Sequence, residues 1–140
     1  MVDERCFLDS NVLVYLFDDD FPEKQALARD LLAERSGERI LSVQVLGEFF
    51  HVVTRKLRRP LAPEQALEAA DRLGRFEVWP VHRVLVRNAM ERQLASAFSY
   101  WDSLIVETAI EARATVLLTE DLQHGQRFGD LRVLNPFRGR

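Results

Sequence analysis

The chain has one cysteine, two lysines and no apolar run approaching the roughly 20 residues a membrane-spanning helix needs. Each shortage excludes something. A lone Cys6 cannot close an internal disulfide, and its apolar neighbours suit a small buried core residue. Without a spanning run no membrane partner is expected. The first five residues are acidic and lack the basic-then-apolar order of a signal peptide, so a cytoplasmic location is expected. Several catalytic devices are also missing. There is no GxSxG elbow, no P-loop and no GxGxxG, and His51, His82 and His124 build neither an HExxH motif nor a Cys/His cluster. Zinc chemistry therefore has little to stand on. An Asp-Xaa-Asp phosphoaspartate motif is absent too, because Asn11 stands where its second acid belongs. A net charge of −3 rules out a chain-wide cationic surface but permits a local basic rim around an acidic site. Arginine, which supplies nearly all the cations, can grip phosphate with its planar fork, but a plain composition bias is the favoured explanation.

What is present fits one globular domain over residues 1–140, long enough to bury about 68–70% of its unfolded surface. Residues 6–8 form a short apolar run stopped by Asp9, Ser10 and Asn11, and a second apolar run, 12–17, follows at once. The first reads as a parallel strand buried on both faces, the second as a helix packed over it. Asp9 then lies at a strand's carboxyl end, where open α/β sheets place their ligand crevices.

Pro22 suits the first turn of a helix over about 23–34, with Ala26, Leu27, Leu31 and Leu32 inward and Ser36-Gly37 as its stop. A strand at 39–43 leads into a helix capped by Ser42 and running to about 57. Its face of Val45, Leu46, Phe49, Phe50, Val52 and Val53 has Glu48 at the edge. Pro63 opens a helix over 64–73 with Ala66, Leu67 and Ala70 inward, and 76–81 is a short strand or link that Pro80 confines to a sheet edge. A helix at about 83–97 precedes one capped by Ser99. There Asp102 falls at the third position, in the middle of the face made by Ile105, Val106, Ala109 and Ile110, with Glu107 and Glu111 on the wet side. The run 114–118 is the last core strand and ends in Thr119, Glu120 and Asp121. Residues 122–129 turn the chain, and 131–134 return as an edge strand. This order predicts an α/β/α sandwich with a mostly parallel central sheet flanked by helices.

Four acids thus become candidates for one crevice, each with a plainer alternative. Asp9 and Asp121 end strands, although Asp121 also suits a simple turn. Glu48 suits an ordinary helix boundary, and Asp102 a capping position. If they meet, two ionised carboxylates ~4 Å apart repel by about 4 kcal/mol at an effective dielectric of ~20. Either protons stay on or a divalent cation intervenes. An all-oxygen site suits Mg²⁺ or Mn²⁺, which can bridge phosphate, orient a water and lower its pKa. Phosphodiester hydrolysis is the matching chemistry.

The chain resembles the PIN-domain ribonucleases, and among them the VapC-like toxins of type II toxin–antitoxin pairs. The resemblance spans nearly the whole chain. It is carried by Leu8-Asp9-Ser10-Asn11-Val12-Leu13, Val45-Leu46-Gly47-Glu48-Phe49, Tyr100-Trp101-Asp102-Ser103-Leu104-Ile105 and Leu118-Thr119-Glu120-Asp121-Leu122-Gln123-His124-Gly125. It implies catalytic, metal-holding roles for Asp9, Glu48, Asp102 and Asp121. Asn11 and Thr119 match supporting polar positions, unless they merely cap or turn the backbone. It further implies Mg²⁺- or Mn²⁺-dependent cleavage of an RNA substrate, a homodimer, and inhibition by a cognate VapB-like antitoxin that covers an apolar groove. Exposed apolar residues on the helices containing Tyr15, Phe17, Phe49 and Phe50 could supply that groove, with core packing the favoured role for most of them. Two competing expectations are a non-cleaving PIN-like module that binds RNA or a partner, and a metal-dependent phosphatase for small molecules.

Overall fold

Three consecutive residues with no solvent-facing side set the centre of the molecule. In the computed structural model, which describes residues 4–33 and 38–138, Cys6, Phe7 and Leu8 are all fully buried in strand β1 (Arg5–Leu8). A strand covered on both faces has no use for alternating polarity, which is why the run is continuously apolar. β2 (Glu38–Ser42) and β4 (Val116–Leu118) pair with β1 in parallel on either side, setting Phe7 opposite Ile40 and Leu117. The sheet order is β3-β2-β1-β4-β6-β5, with β3 (Glu77–Trp79), β5 (Arg127–Phe128) and β6 (Leu131–Leu134). Only β5 runs antiparallel.

The chain therefore builds outward from β1 through β2 to β3, then returns to place β4 on the other side of β1. The gap between β1 and β4 is a topological switch point, where connections leave in opposite directions and the strand ends open onto a crevice. Parallel neighbours need long crossovers, and helices supply them: α1 (Ser10–Val14, continued by a 3₁₀ turn at Tyr15–Phe17), α2 (Pro22–Ala33), α3 (Val43–Arg55), α4 (Pro63–Leu73), α5 (Arg83–Ala95) and α6 (Tyr100–Glu111). α3 packs between α1 and α4, while α5 pairs with α6 around Leu85, Ala89 and Leu104. No helix among the described residues is long and apolar enough to cross a membrane.

Both expected serine caps form. Ser42 Oγ accepts the Val45 N–H at 3.2 Å, and Ser99 Oγ accepts the Asp102 N–H at 3.0 Å. The expected stop at Ser36-Gly37 lies outside the described residues. Other expectations need correction. β6 is no edge strand, since it pairs with β4 and is covered in turn by β5, inside the stretch expected only to turn. A two-residue strand has no periodicity to read. Its cue is Gly129, whose φ of +64° lets a tight two-residue loop join β5 to β6. α2 rests on Ala28 and Leu31 with Ala26 exposed, and α4 on Ala66, Ala69 and Leu73 with Leu67 57% exposed. The other expected inward residues, Leu27, Leu31 and Leu32 of α2 and Ala66 and Ala70 of α4, do pack on the core, so only Ala26 and Leu67 are corrected. On α6, Ile110 is exposed while Glu107 is drawn in and paired with Arg92 of α5 at 2.7 Å. Covered by both sheet and α5, α6 has no single wet face.

These burial differences fix an outcome. Leu41→Ala, which empties a fully buried site on β2, is expected to cost about 2–5 kcal/mol in urea unfolding. Leu67→Ala should stay within about 0.5 kcal/mol of the parent. Equal losses at the two positions would refute the packing described.

Candidate functional site

Asp9 is the first residue beyond β1, and its backbone N–H donates to the Leu118 carbonyl at 3.0 Å, extending the β1–β4 ladder to its last rung. The chain then turns into α1. At that N-terminus Asp9 caps its own helix, with Oδ1 accepting the Ser10 N–H at 2.7 Å. Across the switch point Thr119, wholly buried, donates its hydroxyl to Asp9 Oδ2 at 2.9 Å. The same hydroxyl oxygen accepts from the Asp121 N–H and from the Asn11 amide, both at 3.1 Å. Asn11 Oδ1 accepts the Glu120 N–H at 3.3 Å. Asn11 and Thr119 thus stitch the end of β1 to the end of β4 and fix where Asp9 and the 119–121 loop stand.

Glu48, on the second turn of α3, and Asp102, in the first turn of α6, act on the same place. Burial, with Asp121 and Asp102 adding negative charge, pushes the Asp9 carboxyl up to about 6 against the bonds from Thr119 and the Ser10 N–H. Burial and then Asp9 push Glu48 to about 7, with further repulsion from Asp102 and Asp121. Asp102 is raised as well, by burial and then Asp121, against Ser99. Carboxylates that shift one another in this way share one electrostatic pocket. All four sequence candidates are therefore neighbours in the field that matters.

Glu120 is turned out of that pocket. The Tyr15 hydroxyl donates to its Oε1, and Lys24 Nζ sits 3.2 Å from Oε2 and 3.1 Å from the Tyr15 oxygen. The ammonium also lies over the rings of Tyr15, Phe21 and Phe137, 4.8–5.6 Å from their centres. Sequence reasoning did not single out this clamp. Its members come from α2, the 3₁₀ turn and the loop after β4, and no local spacing marks them.

Among the described residues, no three His, Cys, Asp or Glu side chains converge on one point as an all-protein metal cage would. The fit to a cation rests on other grounds. Glu48 Oε1 is buried with no hydrogen-bond partner, and the donor set is all oxygen and all negative. Mg²⁺ commonly keeps several waters and takes one or two carboxylates plus substrate phosphate, which asks less convergence of the protein.

Residues 6–127 match the PIN domain family model. Among curated proteins no relative matches the chain significantly. Similar solved structures include the Mycobacterium tuberculosis toxin VapC20, described as cleaving the sarcin-ricin loop. It is 19% identical, with a TM-score of 0.65 over 83% of this chain and 91% of that one. A toxin–antitoxin complex from Klebsiella pneumoniae is 16% identical, with a TM-score of 0.70 over 94% and 98%. VapBC2 from Rickettsia felis, bound to a promoter DNA fragment, is 23% identical, with a TM-score of 0.61 over 91% and 96%. Identities this low speak for the shared fold.

The raised carboxyls carry a stability signature. Asp9 and Glu48 hold protons more tightly folded than unfolded, so their contribution is complete below about pH 4 and is lost as pH rises through about 6 and 7. In chelator, urea unfolding should show this loss, at most about 1.4 kcal/mol per pH unit for each group. Asp9→Asn should flatten it. A wild-type curve rising smoothly from pH 5 to 7.5, unchanged by Asp9→Asn, would contradict the site's electrostatics.

Proposed function

The chain belongs to the PIN-domain family, and from that premise we propose that it is a Mg²⁺- or Mn²⁺-dependent endoribonuclease, the toxin of a VapBC-type toxin–antitoxin pair. The observation that carries this reading is the gathering of four acids from four distant segments at the switch point, with their repulsion left uncompensated. Asp9, Glu48, Asp102 and Asp121 would hold the ion between them, some directly and the rest through its waters. When bound, such an ion supplies Lewis-acid polarisation of a phosphate and a water of lowered pKa. Thr119 holds the Asp9 carboxylate in place and Asn11 braces Thr119, and a carboxylate of the set orients the attacking water and takes its proton.

The site's shape favours a polymer. Asp121 is exposed and Asp102 and Glu48 are only partly buried, so three of the four acids are open to solvent, whereas small-molecule sites usually enclose most of their ligand. That counts against the phosphatase reading. The intact acid set counts against a non-cleaving module.

The antitoxin is assigned to the apolar cleft between the 3₁₀ turn and α4. It holds about 400 Å³ and is lined by Leu16, Phe17, Leu61, Ala69, Leu73 and Phe76. Of the aromatics first expected there, Phe17 lines the cleft, while Phe49 is wholly buried in the core. An arginine reaching from such a partner would satisfy the acids bidentately in place of the ion. Exposed Val84, Met90 and Leu94 on α5 and Trp101 on α6 offer a face for a second copy, consistent with a homodimer. The enzyme would act in the cytoplasm.

Purified protein with Mn²⁺ is expected to cut RNA at discrete sites and to be silenced by chelation. Asp9→Asn and Asp102→Asn should each lower cleavage at least about 10²-fold while remaining folded. RNA ends that are equal in wild type and variants would overturn the nuclease reading. Turnover of a generic phosphomonoester without RNA cleavage would favour the phosphatase.

A further inference from the structure

Gln44 occupies the first turn of α3, four residues before Glu48, so the two side chains share one face of the helix. Its amide Nε2 donates to the Trp101 carbonyl at 3.4 Å, which ties α3 to the first turn of α6 beside Asp102. The amide also lies against the Glu48 carboxylate, where it favours the charged form. Turning the amide over would set its oxygen against the Trp101 carbonyl oxygen, so that contact fixes which way it points.

The far atom of this amide is the informative one. Gln44 Oε1 is buried with no hydrogen-bond partner, and so is Glu48 Oε1 one turn along. A buried acceptor left unpaired is costly, and here two occur four residues apart on one helix. Among the described residues no N–H or O–H reaches either oxygen. A donor brought from outside, carried at the acid cluster, would satisfy both.

We propose that Gln44 is a positioning residue of the metal site, its Oε1 accepting a hydrogen bond from a water in the ion's coordination sphere while its N–H anchors it to α6. The proposal rests on the metal-dependent reading above. Hydrated divalent ions suit the role because Mg²⁺ gives up its waters reluctantly. Groups that hold the second layer around a metal typically matter 10–100-fold in affinity.

Calorimetric titration of the full chain with Mn²⁺ tests this without reference to turnover. Gln44→Met removes the oxygen and the N–H at similar length, and Gln44→Glu restores an oxygen but not the N–H. Gln44→Leu serves if the Met variant does not fold. Expected is a 10–100-fold loss of Mn²⁺ affinity in Gln44→Met, an affinity in Gln44→Glu equal to wild type or tighter, and no lowering of the metal-free urea midpoint in Gln44→Met. Wild-type affinity in Gln44→Met overturns the proposal. So does equal weakness in the Met and Glu variants, because the N–H tie to Trp101 would then be the whole role. Asp9→Asn separates the two levels. If it abolishes Mn²⁺ binding while Gln44→Met binds normally, only this inference falls. If Asp9→Asn binds as wild type, the metal-site reading itself falls.

Discussion

The hydrogen bond from the Thr119 hydroxyl to the Asp9 carboxylate is the contact on which the rest of the site depends. A nearly sealed carboxylate, 5% exposed, is costly unless something donates to it, and this fold supplies two donors from opposite sides of the switch point. One is the N–H of the helix that Asp9 itself caps. The other is a hydroxyl from the strand that returns after more than a hundred residues. Bonds to charged groups are worth about 1.5–3 kcal/mol each, enough to keep Asp9 in place but not to erase the burial penalty. That imbalance shows in its carboxyl, which remains raised to about 6. The junction of β1 and β4 thus joins a tightly hydrogen-bonded backbone to a carboxyl raised by its burial.

Much of this was legible because it is local. Unbroken apolar runs stopped by Asp9-Ser10-Asn11 and Thr119-Glu120-Asp121 announce buried parallel strands that end in polar atoms, and the structure places β1 and β4 there. Ser42 and Ser99 announce helix starts by chemistry that needs only three neighbouring residues. What was illegible involves partners far apart or faces covered twice. Glu107 reads as a wet residue until α5 brings Arg92 against it. β6 reads as an edge because the strand that covers it is two residues long. Lys24 and Glu120 lie 96 positions apart and carry no mark of each other. Gln44 is a polar residue at the start of a helix, ordinary until burial strands its oxygen.

The way the fold treats its other acids shows what kind of partner the quartet lacks. Glu120 receives Lys24, Glu107 receives Arg92, Glu38 and Glu77 share Arg5, and Glu68 receives Arg72. Cations are plentiful and are placed wherever an acid is to be settled within the chain. Among the described residues, none of them pairs with Asp9, Glu48, Asp102 or Asp121, although burial raises the first three. Glu120 makes the contrast sharp: it adjoins Asp121 in sequence yet is taken up by the Tyr15 hydroxyl and the Lys24 ammonium. That contrast is what the proposed metal site would require. Since no three of the candidate ligands among the described residues close on a point, a cation there would keep waters of its own or take oxygens from a phosphate.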